Sequence, residues 1–415
     1  MDALHQMRTM SPPDDHPWAE PESRQSGTQA KLADAGHLRV ALFSGNYNYV
    51  RDGANQALNR LVEYLLRRGV AVRVYSPTAE KPAFEPQGDL VSLPSMPALF
   101  GRSEYRMAWR IPAAVRADIA AFRPNLFHIS VPLLLGPNAL RLARSLNIPA
   151  IASMHTRFET YPRYYGIGFL EPVVLAMLRQ FYRGCDAVVA PSESAAGIMR
   201  DQRLADEISI WTRGIDTSIF SPEQRSLDWR RSQGITDDEV VIGFLGRLVM
   251  EKGLSIVAET AARLRAMGVA HRMMVIGDGP ARSWFTDRLE GAVFCGHLQG
   301  QALGRAVACA DMLFNPSVTE SFGNVTLEAM ASGLPVVAAQ STGSASLVVD
   351  GKTGRLVEPG SVGGFAEALQ LYAEDAVLRQ SHGQAALEAS RAYDWDSVNE
   401  AMVQAYLGLC QRMAE

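Results

Sequence analysis

Short apolar runs alternate along the chain with longer stretches in which apolar residues recur every three or four positions. The first short run covers residues 38–43, apolar residues at helical spacing follow in 58–66, and a second run at 70–75 comes directly after Gly69. The short runs predict buried strands, and the wider spacing predicts an amphipathic helix. A strand, a helix and a strand at this distance form a βαβ unit, whose two strands are parallel.

The alternation continues along the chain, with a break at 211–228, where Gly, Asp, Ser and Pro interrupt the apolar pattern. Before the break, further strands are predicted at 125–130, 149–153 and 187–190, and helices at 111–122, 133–146, 170–183 and 193–203. After it, strands are predicted at 240–245, 272–276, 292–295, 312–315, 335–339 and 353–357, and helices at 254–267, 280–289, 301–308, 324–332, 362–373 and 398–413. We therefore predict two α/β domains, each a doubly wound parallel sheet, with a ligand between them at the carboxyl ends of the strands.

The amino-acid composition is consistent with two domains and also indicates an N-terminal tail. Residues 1–36 are polar and rich in Pro, Asp, Glu, Ser and Gln, which predicts disorder. We assign residues 37–215 to the first domain, 216–392 to the second and 393–415 to a C-terminal helix. Of the 415 residues, 47% are hydrophobic, which is enough to bury two cores.

Charge and cysteine content limit the partners and the compartment. The 40 basic and 44 acidic residues give a net charge of −4, which argues against nucleic acid as a partner. The four cysteines form no CxxC pair, so we expect a reduced, cytoplasmic protein rather than a disulfide framework. No apolar run reaches the length of a membrane span, and the start of the chain lacks the apolar core of a secretory signal.

The strongest chemical signal is the segment 316–335, in which a predicted strand is followed by a polar loop and then a helix. The backbone amides of Gly323, Asn324 and Val325 would begin that helix, and the start of a helix binds anions such as a diphosphate.

Two carboxylates accompany this anion site. Glu320 lies in the loop and Glu328 lies eight positions later, just past the first helical turn. Carboxylates are good acceptors for the hydroxyls of a sugar. Taken separately, Glu328 would be an ordinary exposed helix residue and Glu320 a simple turn residue.

A second signal follows the predicted strand 240–245. Gly246, Arg247 and Lys252 lie in the loop between that strand and the next helix, so both cationic heads can reach one phosphate group. The alternative is a solvated charged turn, which the neighbouring Glu251 favours.

Gly277 and Gly279 close the predicted strand 272–276, and Pro280 would be the first residue of the next helix. Glycines there would let a flat ligand such as a nucleobase approach the backbone. A tight turn explains them equally well.

In the first domain, His155 and Arg157 follow the predicted strand 149–153 and come before a tyrosine-rich loop. This position at the carboxyl end of a strand favours a role in the cleft over a purely structural one. The segment 211–216, at the domain boundary, fits a functional role and a simple hinge equally.

Two further motifs are better explained without chemistry. Asp394 and Asp396 have the D-x-D spacing of metal-dependent sugar transferases, but they directly precede the last predicted helix. We therefore expect Asp396 to cap that helix and Asp394 to lie in the loop before it. Ser192 and Ser194 lack the G-x-S-x-G context of a hydrolase nucleophile.

Taken together, the motifs G-R-x(4)-K-G, G-D-G-P, E-x(7)-E with F-G-N, and E-A-M-A-S-G-L-P resemble those of one enzyme family. It is the family of retaining nucleotide-sugar glycosyltransferases with two Rossmann-like domains facing a central cleft, the GT-B fold. The family includes bacterial mannosyl- and glucosyltransferases, sucrose synthase and sulfoquinovosyl-diacylglycerol synthases. The resemblance covers residues 38–413 and implies that the C-terminal helix crosses back onto the first domain.

The resemblance implies a role for each matching residue. Arg247 and Lys252 would hold the donor diphosphate, Glu328 the ribose hydroxyls and Glu320 the hydroxyls of the transferred sugar, while His155 would lie beside the reacting centre. The implied catalytic residues are His155, Arg247, Lys252 and Glu320, and the implied donor-binding residues are Gly246, Gly277, Gly279, Phe322, Gly323, Asn324, Val325 and Glu328.

The resemblance also implies transfer with retention of anomeric configuration. Arg247, Lys252 and a helix N-terminus would neutralise the leaving nucleotide, so neither a metal nor a cofactor is expected. The sequence departs from the family in the acceptor-side loop, where many members have two glycines and this chain has only Gly53 in a comparable place. We expect Gly53 and Arg157 to lie on the acceptor side.

The acceptor is inferred from the segment 96–110, which mixes aromatic residues with arginines, as membrane-surface segments do. It is similar to the corresponding region of transferases that act on diacylglycerol. The prediction is a hexose moved from a UDP- or GDP-sugar to a lipid, by a cytoplasmic protein that is peripheral on the inner face of the membrane. The alternatives are a loop packed on the first domain with a soluble or polysaccharide acceptor, a nucleotide-sugar 2-epimerase, and a non-catalytic nucleotide-binding protein.

Overall fold

A computed structural model of the protein describes residues 34–50, 53–97, 105–164 and 166–414. The tail predicted at 1–36 lies outside these ranges except for its last three residues, of which Ala35 is buried. Arg51 and Asp52 of the acceptor-side loop, and residues 98–104 of the proposed membrane segment, also lie outside them.

The first domain is built on a parallel sheet between two helical layers. Its strands are β1 Arg39–Phe43, β2 Ala71–Ser76, β3 Asp89–Ser92, β6 Leu126–Ile129, β7 Ala150–Ser153, β8 Ala187–Ala190 and β9 Ser209–Ile210, with an antiparallel pair, β4 Met96–Pro97 and β5 Arg106–Met107, outside the sheet. Its helices are α1 Gly53–Arg67, α2 Ala113–Phe122, α3 Leu135–Ser145, α4 Tyr161–Tyr164, α5 Glu171–Tyr182 and α6 Glu193–Asp201. Alternate residues of β1 point to opposite faces of the sheet, and each face packs against its own hydrophobic core. Because both faces are buried, every residue in the middle of the strand is apolar.

The second domain repeats the design with six parallel strands. They are β10 Val241–Leu245, β11 Arg272–Ile276, β12 Val293–Gly296, β13 Met312–Asn315, β14 Val336–Ala339 and β15 Gly354–Val357. The helices are α7 Leu227–Ser232, α8 Leu254–Ala266, α9 Arg282–Thr286, α10 Gly300–Ala308, α11 Asn324–Ala331, α12 Val362–Glu374 and α13 Ala376–Ser390, and the chain ends in α14 Trp395–Ala414. Two further hydrophobic clusters cover the two faces of this sheet.

The strand order places a crevice in each sheet. The first sheet runs β3-β2-β1-β6-β7-β8-β9, and the second runs β12-β11-β10-β13-β14-β15. The order reverses between β1 and β6 in one sheet and between β10 and β13 in the other. Ligands of open α/β sheets bind beside the carboxyl ends of the strands at such points. The loops after β10 and β13 carry the sequence motifs of the second domain.

The final helix, α14, packs on the first domain rather than on the second. Its apolar residues, including Val403 and Leu407, share a core with α1 and β1. Tyr64 of α1 donates a hydrogen bond to Glu400 over 2.7 Å. The chain passes from the first domain to the second near Ile215 and returns to the first after Tyr393. These two connections lie side by side, because the Ile215 amide donates a hydrogen bond to the Tyr393 carbonyl over 2.8 Å.

Two local predictions about helix starts are wrong. The Asp394 carboxylate, not that of Asp396, accepts the Ser397 amide at 2.8 Å and caps α14, whereas Asp396 pairs with Arg67 of the first domain. Pro280 is not the first residue of a helix, because α9 begins at Arg282. Within the described ranges, no helix combines the length and the hydrophobicity needed to cross a lipid bilayer.

Candidate functional site

A cavity of about 720 Å³ lies between the two domains, where the strand ends of both sheets meet. The first domain contributes Gly53, Ala54, Tyr105, His155, Thr156, Arg157, Thr160, Tyr161 and Arg213 to its wall. The second contributes Gly246, Arg247, Val249, Glu251, Lys252, Thr319, Glu320, Ser321, Phe322, Gly323, Asn324 and Val325. The two loops at the switch point of the second sheet therefore supply most of that half.

The cationic side of the cavity is formed by the loop that follows β10. Arg247 is exposed, and its guanidinium has no hydrogen-bond or ion-pair partner within the described ranges. Lys252 ends the short 3₁₀ turn Met250–Lys252, and its Nζ donates to Glu320 Oε1 over 3.0 Å. The fork of the arginine is thus available to a phosphate, and the lysine is already held in place by a carboxylate.

Glu320 joins this cationic side to the loop after β13. Its side chain is only 13% exposed. While Oε1 accepts from Lys252, Oε2 is buried with no hydrogen-bond partner among the residues that the structure describes. A buried carboxylate oxygen without a donor is costly. A ligand hydroxyl in the cavity would supply the missing hydrogen bond.

The start of α11 closes the same side of the cavity. Gly323 is its N-cap and has a left-handed conformation, with φ of 96°, and Asn324 and Val325 are the first helical residues. All three line the cavity, so the positive end of the helix dipole faces it. Phe322 is buried beside them and contacts the ring of Tyr393.

Glu328 lies one helical turn beyond Asn324 and is not part of the cavity wall. Burial raises the pKa of this carboxyl to about 7, and the negative charge of Glu320 adds to the effect. Glu320 and Glu328, the two carboxylates of the E-x(7)-E motif, are therefore close enough to interact electrostatically. Of the two, Glu320 borders the cavity.

Gly277 and Gly279 pack against the backbone of the loop after β10. A Cβ on Gly277 would lie 1.9 Å from the carbonyl oxygen of Gly246, and a Cβ on Gly279 would lie 2.5 Å from that of Leu248. The space that these glycines leave is thus filled by the backbone of the loop after β10. They support the position of that loop and do not line the cavity.

His155 stands on the first-domain side, after β7, and its ring nitrogens are both engaged. Arg213 Nη2 lies 2.9 Å from His155 Nδ1, and Ser153 Oγ lies 2.8 Å from His155 Nε2. A guanidinium can only donate, so Nδ1 is the acceptor and Nε2 carries the proton. Burial, aided by the positive charge of Arg213, lowers the pKa of His155 well below its usual value. The imidazole is therefore neutral near pH 7.

The hydrogen-bond chain continues through the first domain to α14. Ser153 Oγ is 2.7 Å from Nε2 of His128, a fully buried residue of β6, and His128 Nδ1 is 2.6 Å from the hydroxyl of Tyr406. Burial lowers the pKa of His128 to about 3. Since Ser153 accepts from His155, it donates to His128, which in turn donates to Tyr406. A single series of hydrogen bonds thus orients His155 from the C-terminal helix.

Arg157 also borders the cavity, and its Nε donates to the buried Glu159 over 2.8 Å. Arg213 was not predicted as a site residue, although the segment 211–216 was noted. It follows β9, a strand of only two residues, and so lies at the same sheet edge as His155.

The domains touch directly at the cavity. A Cβ on Gly53 would lie 2.3 Å from Asn324 Nδ2, so this glycine permits close contact between α1 and α11. Ser321 of the second domain donates to the His155 carbonyl over 3.1 Å, and Ser192 donates to the Ser321 carbonyl over 3.0 Å. Ser192 also caps α6.

A second cavity, of about 480 Å³, adjoins the first within the first domain. The two share Ala54, Tyr105, His155, Thr156 and Tyr161. Most of its remaining wall is apolar and includes Leu58, Met107, Ala108, Val131, Leu133, Leu134, Leu135, Phe158, Pro162, Ile167 and Val174. His155 therefore stands between a charged cavity and an apolar one.

Two protein-family models match this chain in order. The model described as Glycosyltransferase Family 4 matches residues 51–219, and the model described as Glycosyl transferases group 1 matches residues 239–375. The first match lies in the domain that carries His155, and the second contains the loops after β10 and β13.

Curated relatives match over most of their own length. Sulfoquinovosyl transferase SQD2 of Arabidopsis thaliana is 31% identical, over 90% of this chain and 75% of the relative. A GDP-mannose-dependent alpha-mannosyltransferase of Mycolicibacterium smegmatis is 30% identical, over 89% of this chain and 97% of the relative. Alpha-monoglucosyldiacylglycerol synthase of Streptococcus pneumoniae is 27% identical, over 80% and 78%.

Among solved structures, sucrose-phosphate synthase from Thermosynechococcus elongatus superposes with a TM-score of 0.72, at 21% identity, over 90% of this chain and 99% of that one. This likeness supports the fold alone, two Rossmann-like domains in the GT-B arrangement. The relatives at 30 and 31% identity, together with the two family models, show that the chain belongs to the glycosyltransferases built from a family 4 N-terminal domain and a group 1 C-terminal domain.

Proposed function

We propose that this glycosyltransferase moves a hexosyl group from a UDP- or GDP-sugar to a lipid acceptor such as diacylglycerol. The proposal includes retention of the anomeric configuration and independence from metal ions. It also includes a cytoplasmic location, peripheral on the inner face of the membrane.

The donor half of the proposal depends mainly on one observation. Arg247, Lys252 and the N-terminus of α11 converge on the cavity wall that also holds Glu320 Oε2, which has no hydrogen-bond partner in the described part of the chain. A nucleoside diphosphate offers negative oxygens to the cations and amides, and the attached sugar offers a hydroxyl to Glu320. The carboxylate of Glu328 would accept ribose hydroxyls at the other end of the helical turn.

The same groups favour departure of the nucleotide. In the transfer, the bond between the anomeric carbon and the β-phosphate oxygen breaks, and negative charge grows on the diphosphate. Fixed cations and peptide amides stabilise such a charge without reorganising. A new bond forms between the anomeric carbon and the acceptor oxygen, whose proton passes to the leaving phosphate. The family resemblance supports this same-face course and hence retention.

The neutral His155 borders the place where donor and acceptor meet. Its ring cannot take up a proton while Nδ1 accepts from Arg213. We therefore assign it a positioning role at the junction of the two cavities, with Gly53 and Arg157 on the acceptor side.

The apolar second cavity supports a lipid acceptor. A soluble sugar would gain little from a wall of leucine, valine, phenylalanine and methionine side chains, whereas an acyl chain would bury apolar surface there. One curated relative, at 27% identity, carries diacylglycerol in its name. A peripheral membrane location follows because such an acceptor resides in the bilayer.

The test is a transfer assay with purified protein. UDP- and GDP-hexoses are offered with diacylglycerol in mixed micelles, or with soluble sugars, in the presence of EDTA, and products are identified by mass spectrometry and anomeric NMR. We expect an α-linked glycolipid from an α-linked donor, with and without EDTA. Glu320→Gln should lower kcat at least 100-fold, and the exposed control Glu367→Gln should not.

Other outcomes would identify the alternatives. A soluble product alone would favour a soluble or polysaccharide acceptor, and isotope scrambling at sugar C2 without an acceptor product would favour a 2-epimerase. Unchanged activity in Glu320→Gln would remove Glu320 from the mechanism.

A further inference from the structure

The segment 168–177 presents an unusual surface on the first domain. It consists of a 3₁₀ turn, Gly168–Leu170, and the first half of α5. From residue 169 to residue 177, every exposed position is apolar; these positions are Phe169, Leu170, Pro172, Val173, Ala176 and Met177. We call these six residues the α5 patch.

The exposure of the large members is substantial. Phe169 is 77% exposed, Val173 55% and Met177 43%. The opposite side of α5 is apolar too, because Leu178 and Phe181 enter the core of the first domain. A surface helix normally has one apolar side and one polar side. A contiguous exposed apolar patch marks a site of interaction.

The α5 patch is continuous with the apolar cavity. Ile167, directly before the 3₁₀ turn, and Val174, within α5, both line that cavity. The cavity in turn shares His155, Thr156 and Tyr161 with the reaction cavity. An apolar path therefore leads from the place where a sugar would be transferred to the surface that carries the patch.

A second element extends the apolar surface at the same cavity. Leu134 lines the cavity and is 43% exposed, and Trp109 is 40% exposed. The side-chain amide of Asn138 donates to the backbone carbonyls of both, which places them side by side. Arg110, next to Trp109, is exposed as well. A tryptophan with a neighbouring arginine is typical of the interface between a bilayer and water.

We propose that the α5 patch, with Leu134 and Trp109 beside it, docks this protein on a lipid bilayer. A lipid molecule then enters the apolar cavity from the bilayer without crossing water, and its headgroup reaches the junction with the donor cavity. This inference extends the proposed function and relies on it for the nature of the acceptor. The competing occupant of the α5 patch is a second copy of the chain. A second copy would close the apolar cavity, whereas a bilayer would deliver a lipid to it.

Vesicle flotation tests the proposal on the full chain. The vesicles contain phosphatidylcholine with phosphatidylglycerol, and the variant is the double substitution F169S/V173S. The matched control is L371S/V377S in the second domain, where Leu371 and Val377 are 39% and 79% exposed. We expect wild type and control to float with the vesicles and the patch variant to lose at least tenfold in partitioning.

Two further measurements keep the result interpretable. All variants should keep the wild-type Tm and its increase with UDP or GDP, since exposed substitutions hardly affect stability. In detergent micelles, the patch variant should glycosylate a short-chain acceptor at the wild-type rate. If the variant floats as well as wild type, or if wild type does not float, the docking proposal is wrong.

The oligomeric state separates the competing occupant. If wild type sediments as a dimer and F169S/V173S as a monomer, the patch is an interface between copies and the bilayer proposal is overturned. Failure of the proposed function gives a different result, in which vesicle binding depends on the patch but no lipid product forms. A lipid product in micelles together with patch-independent flotation would reject only the docking surface.

Discussion

Glu328 provides a quantitative test of the donor side, because its raised pKa makes stability depend on pH. The perturbation is Glu328→Gln, which keeps the shape of the side chain and removes its titration. The folded-state pKa of about 7 exceeds the ordinary value of 4.5. Folded protein therefore holds an extra proton between these two pH values, and stability falls as pH rises through this window.

The magnitude follows from that difference. One pKa unit corresponds to about 1.4 kcal/mol, so the full interval is worth at most about 3.5 kcal/mol. About 2.5 kcal/mol of this is lost between pH 5 and pH 8 by the same linkage relation. Glu328→Gln does not suffer this loss and should become the more stable protein at pH 8, by several degrees in Tm.

The assay is thermal unfolding of wild type and Glu328→Gln at half-unit steps from pH 5 to 8.5. The buried, neutral His128 and His155 cause an opposite trend below their ordinary pKa, because unfolding lets them take up protons. Both proteins contain these histidines, so the difference between the two curves isolates Glu328. The exposed substitution Glu367→Gln is the control and should leave the curve unchanged.

Ligand binding gives the second half of this test. If ribose hydroxyls donate to Glu328, UDP or GDP binds the ionised form better. The affinity of wild type for UDP or GDP should then rise, relative to the affinity of Glu328→Gln for the same nucleotide, as pH increases from 6 to 8. Parallel stability curves would refute the raised pKa, and equal nucleotide affinities at pH 8 would refute contact with the ribose.

Three further predictions concern other parts of the structure. Gly53→Ala places a methyl group against Asn324 and should lower kcat/KM at least tenfold with little change in nucleotide affinity, whereas Gly197→Ala, which has open space, should be silent in kinetic assays. Ser153→Ala breaks the hydrogen bonds to His155 and His128 and should cost about 1–3 kcal/mol of stability. It should also lower kcat more than it changes KM. An unchanged kcat would mean that this series of hydrogen bonds has only a structural role. Arg230→Ala removes a fully buried guanidinium that binds Asp311 and should destabilise by about 3–5 kcal/mol in urea unfolding, and Arg230→Lys should not restore the loss.

Much of the fold could be predicted because buried parallel strands have continuous apolar sequences. The strands Arg272–Ile276, Met312–Asn315 and Ala187–Ala190 have the predicted bounds for this reason. The helix α13 was not predicted, because it lacks a clear apolar side. The part of the site on the loops after β10 and β13 was predictable because its motifs are local in sequence.

The rest of the site depends on contacts between distant residues. His128 reads as an ordinary strand residue, and its partner Tyr406 lies 278 positions away. The glycine motif at Gly277 and Gly279 indicates that something approaches the backbone closely, but not whether it is a ligand or another loop. The wrong helix cap has a local cause, because α14 begins at Trp395 and not at Val398, which makes Asp394 the capping residue instead of Asp396.

The central claim is that the second domain holds a diphosphate through Arg247, Lys252 and the start of α11. Isothermal titration in EDTA measures this directly, with UDP and GDP compared with UMP and GMP on wild type, Arg247→Ala and the exposed control Arg391→Ala. The account predicts that wild type and Arg391→Ala bind one diphosphate at least tenfold more tightly than its monophosphate, and that Arg247→Ala removes this difference. An unchanged preference in Arg247→Ala, or no nucleotide binding by wild type, would contradict it.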